Sequence, residues 1–94
     1  LGAGLTNGQM AAALDALGFA LPAGTCSTVG LSGLLLGGGK GKMSRLHGLT
    51  SDRLFALDYV AADGSARHAN ATHNADLLWL ARGGGGRQFP GVAT

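Results

Sequence analysis

Charged residues and cysteine are both scarce in this sequence of 94 residues. Only 13% of the residues are charged and the net charge is +2, so no basic stripe can neutralise the phosphates of a nucleic acid. A single cysteine excludes an internal disulfide framework. The apolar run at residues 31–36 is far shorter than the ~20 residues of a membrane-spanning helix. We therefore expect no nucleic-acid partner, no disulfide scaffold and no membrane span.

Glycine, by contrast, is abundant. The sequence has 18 glycines among 94 residues, against a typical share of about 7%. Much of the 46% hydrophobic share is alanine, and both residue types bury little apolar area, while glycine loses more entropy on ordering. A chain of this length buries roughly 60% of its unfolded surface or somewhat more. We expect a single, marginally stable domain that needs a cofactor or a neighbouring chain.

A helix is predicted near the start of the chain. Thr6 and Gln9 have the spacing of a capping box, in which each residue satisfies the backbone of the other. Apolar residues follow at three- and four-residue intervals, and Gly18 can end the helix in a left-handed conformation. These signals place the helix at about residues 7–17.

A loop of small residues follows at positions 23–30. It has neither a helical nor a strand period, which predicts an ordered loop. The apolar segment 31–36 lies between this loop and the glycine-rich stretch 37–41, and glycine permits close approach of another backbone or of a ligand. We expect that a large, flat group can lie against this segment.

The second half of the chain predicts a β-hairpin. Residues 54–61 alternate as in a strand, with Phe55, Leu57 and Tyr59 on one face. Asp63-Gly64 is a strong two-residue turn signal, and residues 65–70 would form the returning strand.

A second helix and a last strand are predicted after the hairpin. Asn74 can cap a helix at about residues 75–82, and Gly83 can end it. Leu77, Leu78, Leu80 and Ala81 supply its apolar face. The residues from Phe89 to the end read as the start of a further strand.

The glycine runs do not match the common nucleotide-binding motifs. A phosphate-binding loop requires serine or threonine after its Gly-Lys pair, but Gly41 follows Lys40. The dinucleotide pattern that begins at Gly2 has Asn7 in place of its last glycine, and no strand precedes it. The sequence therefore predicts neither a nucleoside triphosphatase nor a Rossmann unit.

The polar residues give no familiar catalytic or metal-binding pattern. The three histidines lack partner cysteines and share no metal-ligand spacing, so we expect surface or loop histidines at His47, His68 and His73. Ser27, His68 and Asp58 can be combined into a triad only on paper, because no nucleophile elbow surrounds the serine.

Cys26 is more informative because its neighbours are small and leave its sulfur open to a ligand, although a lone cysteine is more often a buried small hydrophobe. Asn70-Ala71-Thr72 is a glycosylation sequon, which is meaningful only in a secreted protein.

Taken in order, these glycines and small residues resemble the flavin loop of berberine-bridge-enzyme-like FAD-linked oxidases. The match covers Gly24–Gly30, Gly33, Gly37–Gly39, Gly41, Arg45 and Gly48-Leu49. The hairpin at Asp63-Gly64, the segment Asn74–Leu77 with Trp79, and Arg82 before four glycines are similar to the next elements of that family. The resemblance implies an α+β fold in which residues 1–94 form part of a PCMH-type FAD-binding domain, a small sheet with flanking helices and glycine-rich loops.

The resemblance also implies FAD as cofactor. The cysteine that matches Cys26 forms a covalent link to the flavin in bicovalent members of the family. Backbone amides of the loop would surround the isoalloxazine and the pyrophosphate, where glycine places no side chain in the way. The cofactor-binding residues implied in this way are Cys26, Thr28, Val29, Gly30, Gly33, Gly38, Gly41 and Val92.

The activity implied is an oxidase that transfers a hydride from an alcohol, sugar, amine or alkaloid to the flavin. The residue matching Val29 influences oxygen access in the family, and valine favours oxygen as the electron acceptor. The sequence departs from the family pattern at Ser27, Leu34 and Lys40, which suggests a divergent pocket. It also departs at residues 87–91, so the resemblance supports flavin contacts less well there.

The 94 residues do not contain every part that the resemblance implies. The flavin-linking histidine would precede residue 1, and the substrate domain with its catalytic base would follow residue 94. Two alternatives therefore stand beside the oxidase: a non-catalytic structural remnant docked to a larger assembly, and a flavin oxidase without the cysteine link. Family habit and the sequon favour an extracellular protein, with a cytoplasmic one as the alternative.

Overall fold

The computed structural model describes residues 1–85, 89 and 91–93, and it combines short helices with a small sheet. In chain order the elements are α1 (Asn7–Ala16), α2 (Leu31–Leu36), α3 (Ser44–His47), a 3₁₀ helix (Thr50–Arg53), β1 (Ala56–Ala61), β2 (Ala66–Asn70), α4 (Ala75–Ala81) and β3 (Gly91–Ala93). This arrangement confirms the predicted α+β class.

The predicted capping box begins α1. Thr6 Oγ1 accepts from the backbone N–H of Gln9 at 3.3 Å, and Gln9 Oε1 accepts from the backbone N–H of Thr6 at 3.0 Å. The helix ends at Ala16, one residue before the predicted end, and Gly18 follows with a φ of 75°. Met10 is the buried apolar residue of this helix.

The apolar segment 31–36 is helical. Leu31 and Leu36 are buried, whereas Gly33 between them is exposed. Sequence reasoning assigned no secondary structure here or to α3 and the 3₁₀ helix, because six residues or fewer are too short to display a helical period.

The sheet has the strand order β2-β1-β3, and both pairs are antiparallel. The predicted turn is confirmed, since Gly64 has a φ of 83° and donates its N–H to the Ala61 carbonyl at 2.9 Å. The predicted strand face is wrong in one respect. Phe55 precedes β1 and is 69% exposed, while Tyr59 is 2% exposed in the core.

Helix α4 follows the predicted position, but the residue that precedes it acts differently from the prediction. Asn74 adopts the left-handed conformation (φ 51°, ψ 42°) and its side chain makes no capping hydrogen bond. Its Nδ2 donates instead to the His68 carbonyl at 2.8 Å, which ties α4 to β2. Leu78 and Ala81 are buried, whereas Trp79 is 78% exposed.

One apolar cluster joins the sheet, α4 and the end of α2. The Tyr59 and Phe89 rings meet edge to face, with centroids 5.3 Å apart. The buried members are Leu36, Tyr59, Ala69, Leu78, Ala81 and Phe89. The strand predicted from residue 89 begins at Gly91, and residues 86–88, 90 and 94 lie outside the described part.

Among the residues that the structure describes, no helix has the length and apolar character to cross a membrane.

Candidate functional site

The loop of small residues is fastened to the first turn of α1 by three hydrogen bonds. The Asn7 backbone N–H donates to the Val29 carbonyl at 2.9 Å, and the Gly8 N–H donates to the Ser27 carbonyl at 2.9 Å. The Asn7 side chain adds a third bond, from Nδ2 to the Cys26 carbonyl at 3.2 Å. The first N–H groups of a helix have no partner within the helix, so here they are free to fix the loop.

Close packing accompanies these bonds. A Cβ atom on Gly8 would lie 3.0 Å from Ser27 Cβ, and a Cβ on Gly24 would lie 3.0 Å from Asn7 Nδ2. Asn7 itself is only 4% exposed. Helix and loop can approach this closely because glycine occupies both positions.

The opposite side of the loop faces solvent. Residues 25–30 are exposed, including the free thiol of Cys26, and Val29 is 38% exposed. Within residues 1–85, nothing accepts a hydrogen bond from the backbone N–H of Ser27 or Thr28. The loop thus turns carbonyls towards α1 and leaves N–H donors and the thiol available to a ligand.

The start of α2 continues this open surface. Gly30 forms an isolated antiparallel bridge with Thr6, and the Leu31 N–H donates to the Leu5 carbonyl at 2.8 Å. Gly33 is exposed, and a Cβ added there would meet no atom within 4 Å. Its N–H has no acceptor in the described residues before position 86. A flat ligand therefore has both space and a hydrogen-bond donor at this point.

Gly38 and Gly39 anchor the other end of α2. Both are buried and have positive φ values, 110° and 79°, which favour glycine. The Gly38 carbonyl accepts from the Ser51 N–H at 2.9 Å. The Gly39 carbonyl accepts from the Thr50 N–H at 2.9 Å and from Thr50 Oγ1 at 3.1 Å.

Gly41 has a packing role in this structure. A Cβ there would overlap the Ala23 carbonyl, so the glycine lets the two segments touch. The Gly41 N–H donates to Ser44 Oγ at 2.8 Å. The amide predicted to donate to a cofactor thus already has an acceptor, and so does that of Gly38, which donates to the Leu35 carbonyl at 3.0 Å.

The remaining predicted residues lie elsewhere. Val92 pairs with Val60 in the sheet, and its side chain lies outside the described part. The structure does bring Asp58 and His68 together, with Nδ1 and Oδ1 2.6 Å apart. They form an exposed cross-strand pair, and no hydrogen bond links Ser27 to them among the described residues.

Two open clefts adjoin the ends of the loop. One, of about 630 Å³, includes Gly24 and Thr25, and the other, of about 430 Å³, includes Leu31 and Ser32. Neither is lined by Cys26. The candidate site is therefore the exposed loop face between the clefts rather than either cleft.

Sequence reasoning missed Asn7, Thr50 and Ser51, which are buried polar residues. In the sequence, Asn7 stood out only as a residue within the span of the capping box and as the mismatch in the dinucleotide pattern. Its position directly before Gly8 indicates a contact with the loop only when the loop carbonyls that accept from these two residues are known.

Comparison with known proteins identifies the family of this chain. A family described as FAD binding domain matches residues 1–70. The FAD-linked oxidoreductase YvdP of Bacillus subtilis is 48% identical over 86 residues, which are 92% of this chain and 19% of that protein.

Solved structures agree with this assignment. BBE-like 1 from Physcomitrella patens superposes with a TM-score of 0.92 at 42% identity, covering 100% of this chain and 20% of that one. Glucooligosaccharide oxidase from Acremonium strictum, which carries a 6-S-cysteinyl, 8α-N1-histidyl FAD, superposes with a TM-score of 0.91 at 41% identity, covering 99% and 20%. This chain spans about a fifth of the length of these relatives. It belongs to the family of FAD binding domains that includes the berberine-bridge-enzyme-like oxidases, and FAD is the cofactor of that family.

Proposed function

We propose that this chain forms the flavin-loop part of an FAD-linked oxidase. The whole enzyme would take a hydride from an alcohol, sugar, amine or alkaloid and pass the electrons to oxygen. The family assignment supports the flavin, and the oxidases among the similar structures support the reaction class. In the proposed enzyme the flavin supplies the hydride chemistry, while the protein binds and orients it.

The observation that carries the proposal is the one-sided bonding of the loop. The carbonyls of Cys26, Ser27 and Val29 accept from α1, so the chain has already satisfied the side that faces inwards. The N–H groups of Thr28 and Gly33 point to no acceptor within residues 1–85. Donors of this kind suit the carbonyl and phosphate oxygens of a flavin nucleotide.

Cys26 is proposed as a covalent anchor. It is the sole cysteine and its side chain is exposed on the ligand face of the loop. By analogy with the cysteinyl flavin of glucooligosaccharide oxidase, a carbon–sulfur bond would form at position 6 of the ring. Cys26 would give up its thiol hydrogen and the cofactor one hydrogen, and oxygen would take up the two electrons and two protons as hydrogen peroxide.

Other residues of the loop would shape the pocket. Gly33 leaves room for the ring because it has no side chain, and Val29 stands beside the anchor where it can control the approach of oxygen. Gly38 and Gly41 would act indirectly, through the bonds and contacts that fix the glycine-rich stretch against Ser51 and Ala23.

The test is the absorption spectrum of the purified full natural chain before and after acid denaturation, followed by the mass of the Cys26 peptide. We expect a yellow chromophore that stays with the polypeptide, an FAD adduct on that peptide in wild type and in S27A, and no such adduct in C26A. Because Ser27 is an exposed neighbour of Cys26, S27A controls for disturbance of the loop.

Each contrary outcome favours a different alternative. Flavin that is released by denaturation, with an unmodified Cys26 peptide, would favour an oxidase without the cysteine link. A colourless protein would favour the non-catalytic remnant. An extracellular location is also proposed. Its support is the sequon at Asn70, and loss of mass on enzymatic deglycosylation of the secreted protein would test it.

A further inference from the structure

The Asn7 amide is placed to control the geometry of the loop that carries Cys26. It is buried at the start of α1, and its Nδ2 reaches the carbonyl of Cys26 itself. The contact joins residues 19 positions apart, so it is not a local turn or a helix cap. The helix cap is made by Thr6 and Gln9 without help from the Asn7 side chain.

The other half of the same amide indicates what the residue is for. Asn7 Oδ1 is buried and has no hydrogen-bond partner among the described residues. A buried acceptor without a partner opposes folding, so an asparagine kept for stability alone would have both ends satisfied. The benefit of this side chain therefore lies in the bond that its nitrogen makes.

The bond acts where backbone contacts alone leave freedom. The Asn7 and Gly8 N–H groups bind the Val29 and Ser27 carbonyls. Among the described residues, the Cys26 carbonyl accepts from only two groups, the Asn7 amide and, in a long bond of 3.4 Å, the Val29 N–H. Fixing the Cys26 carbonyl sets the plane of the peptide that follows it and limits the directions open to the thiol.

We propose that Asn7 is a positioning residue that orients Cys26 for attachment to the flavin. This inference rests on the proposed function for its consequence, but its structural half concerns the loop alone. Attachment requires the sulfur to approach one ring carbon, and small errors of position slow such a step strongly.

The test uses N7D in the full natural chain, with N74D as a matched control. Aspartate has the same shape, keeps the oxygen and lacks the donor, and an acidic residue in the first turn favours the helix itself. Asn74 also precedes or begins a helix and also donates its Nδ2 to a backbone carbonyl, that of His68. A loss confined to N7D is therefore not a result of every exchange of amide for carboxyl, and the amides of β1 report whether a carboxylate at this buried position disturbs the whole fold.

The first measurement is hydrogen exchange of the Gly8 N–H, which reports the bond to the Ser27 carbonyl without any flavin. We expect about five-fold faster exchange in N7D and no change in N74D, the effect of losing one modest hydrogen bond in a local opening. Unchanged exchange in N7D would overturn the proposal. Faster exchange that extends equally to the amides of β1 would overturn it too, because Asn7 would then support the whole fold.

The second measurement is the rate at which added FAD becomes acid-stable on the Cys26 peptide. We expect N7D to slow attachment about ten-fold or more relative to wild type and N74D. If N7D loosens the loop but attaches FAD at the wild-type rate, Asn7 does not position the Cys26 thiol for attachment. If wild type itself attaches no FAD, the proposed cysteine link fails, while a loop loosened only in N7D would still support Asn7 as the residue that orders Cys26.

Discussion

The glycine region (residues 1–53) and the hairpin region (residues 54–85) are held together by different interactions. In the hairpin region, Tyr59, Ala69, Leu78 and Ala81 share one apolar cluster. The glycine region contributes Leu36 to that cluster and also buries Met10 and Leu31. It differs in burying the polar residues Asn7, Thr50 and Ser51 and in the hydrogen bonds that it makes to carbonyls of neighbouring segments. Apolar packing therefore dominates in the hairpin region, whereas the glycine region also depends on hydrogen bonds and on glycines that let its segments approach closely.

This difference suits a cofactor site. A glycine-rich segment gains little from hydrophobic burial and loses much entropy when it becomes ordered. A ligand that binds only the folded form adds stability by mass action. We therefore expect flavin to stabilise the glycine region more than the hairpin region, and the following substitutions test where each region is sensitive.

The largest expected effect is that of Y59A. Tyr59 is 2% exposed and its ring packs on Phe89, so removing the ring should lower the free energy of unfolding by about 3–5 kcal/mol. F55A is the control, since Phe55 is 69% exposed and should change stability by about 0.5 kcal/mol or less. Urea unfolding followed by circular dichroism measures both. Equal effects would mean that the cluster is not the core of the hairpin region.

In the glycine region the corresponding change is G41A. Its Cβ would overlap the Ala23 carbonyl, which is backbone and cannot rotate away, so we expect a loss of about 1–3 kcal/mol. G33A is the matched control. A Cβ at Gly33 meets no atom within 4 Å, and alanine in a helix should stabilise it by about 0.5–1 kcal/mol.

The same pair of variants separates folding from binding. If the flavin lies against α2, G33A should weaken FAD binding although its stability is unchanged or higher. Titration of apoprotein with FAD, followed by flavin fluorescence, would show this. FAD affinity in G33A equal to that of wild type would remove Gly33 from the proposed site.

Two arginines allow a finer comparison because each donates Nε and a terminal nitrogen to one carbonyl. Arg82 binds the Leu54 carbonyl at 2.9 and 2.6 Å and joins α4 to the approach to β1, across 28 residues. Arg53 binds the His47 carbonyl at 3.2 and 2.8 Å, across six residues. We expect R82M to lower the free energy of unfolding by about 1 kcal/mol and R53M by less than half of that, because Arg82 joins more distant segments. Both effects are small because both side chains are exposed, and thermal unfolding measures them. A larger loss in R53M would contradict this ranking.

The smallest effect concerns the turn at Asp63. Hydrogen bonds from the Ser65 hydroxyl and backbone, and the nearby Arg67 guanidinium, lower the pKa of Asp63 below its usual 3.8. Because the pKa is lowered on folding, the ionised carboxyl stabilises the folded protein above pH 3.8, and this stabilisation is lost as the pH falls through the folded-state pKa. NMR titration of the Asp63 carboxyl should show a midpoint that moves upwards in S65A and moves less in R67Q. An unchanged midpoint in S65A would show that the hydroxyl does not set the pKa.

Local signals in the sequence predicted those elements whose partners are close along the chain. The capping box at Thr6, the turn at Gly64 and the positions of α1, β1 and α4 all follow from contacts within a few residues. The family resemblance added the α+β class and the cofactor, which residue patterns alone left open.

What the sequence did not reveal depends on contacts between distant segments. Asn7 contacts a loop that begins 16 positions later, and Gly41 is constrained by Ala23. Neither constraint leaves a periodic trace. Phe55 was misplaced for a similar reason, because alternation continues into the residues before β1 although pairing starts at Ala56. Alternation thus predicts which residues suit a strand, but not where pairing with the neighbouring strand begins.

The strand order β2-β1-β3 has a consequence for solubility. Within the described residues, β2 and β3 each pair with one strand only, but the His68 carbonyl and the Asn70 N–H of β2 already bond to Asn74 and His73 outside the sheet. Charged side chains on an outer strand discourage pairing with another chain. The β2 sequence supplies the charged side chain of Arg67, whereas the Gly-Val-Ala sequence of β3 supplies none. If a further strand joins this sheet, whether from the same polypeptide or by unwanted self-association, it should join at β3.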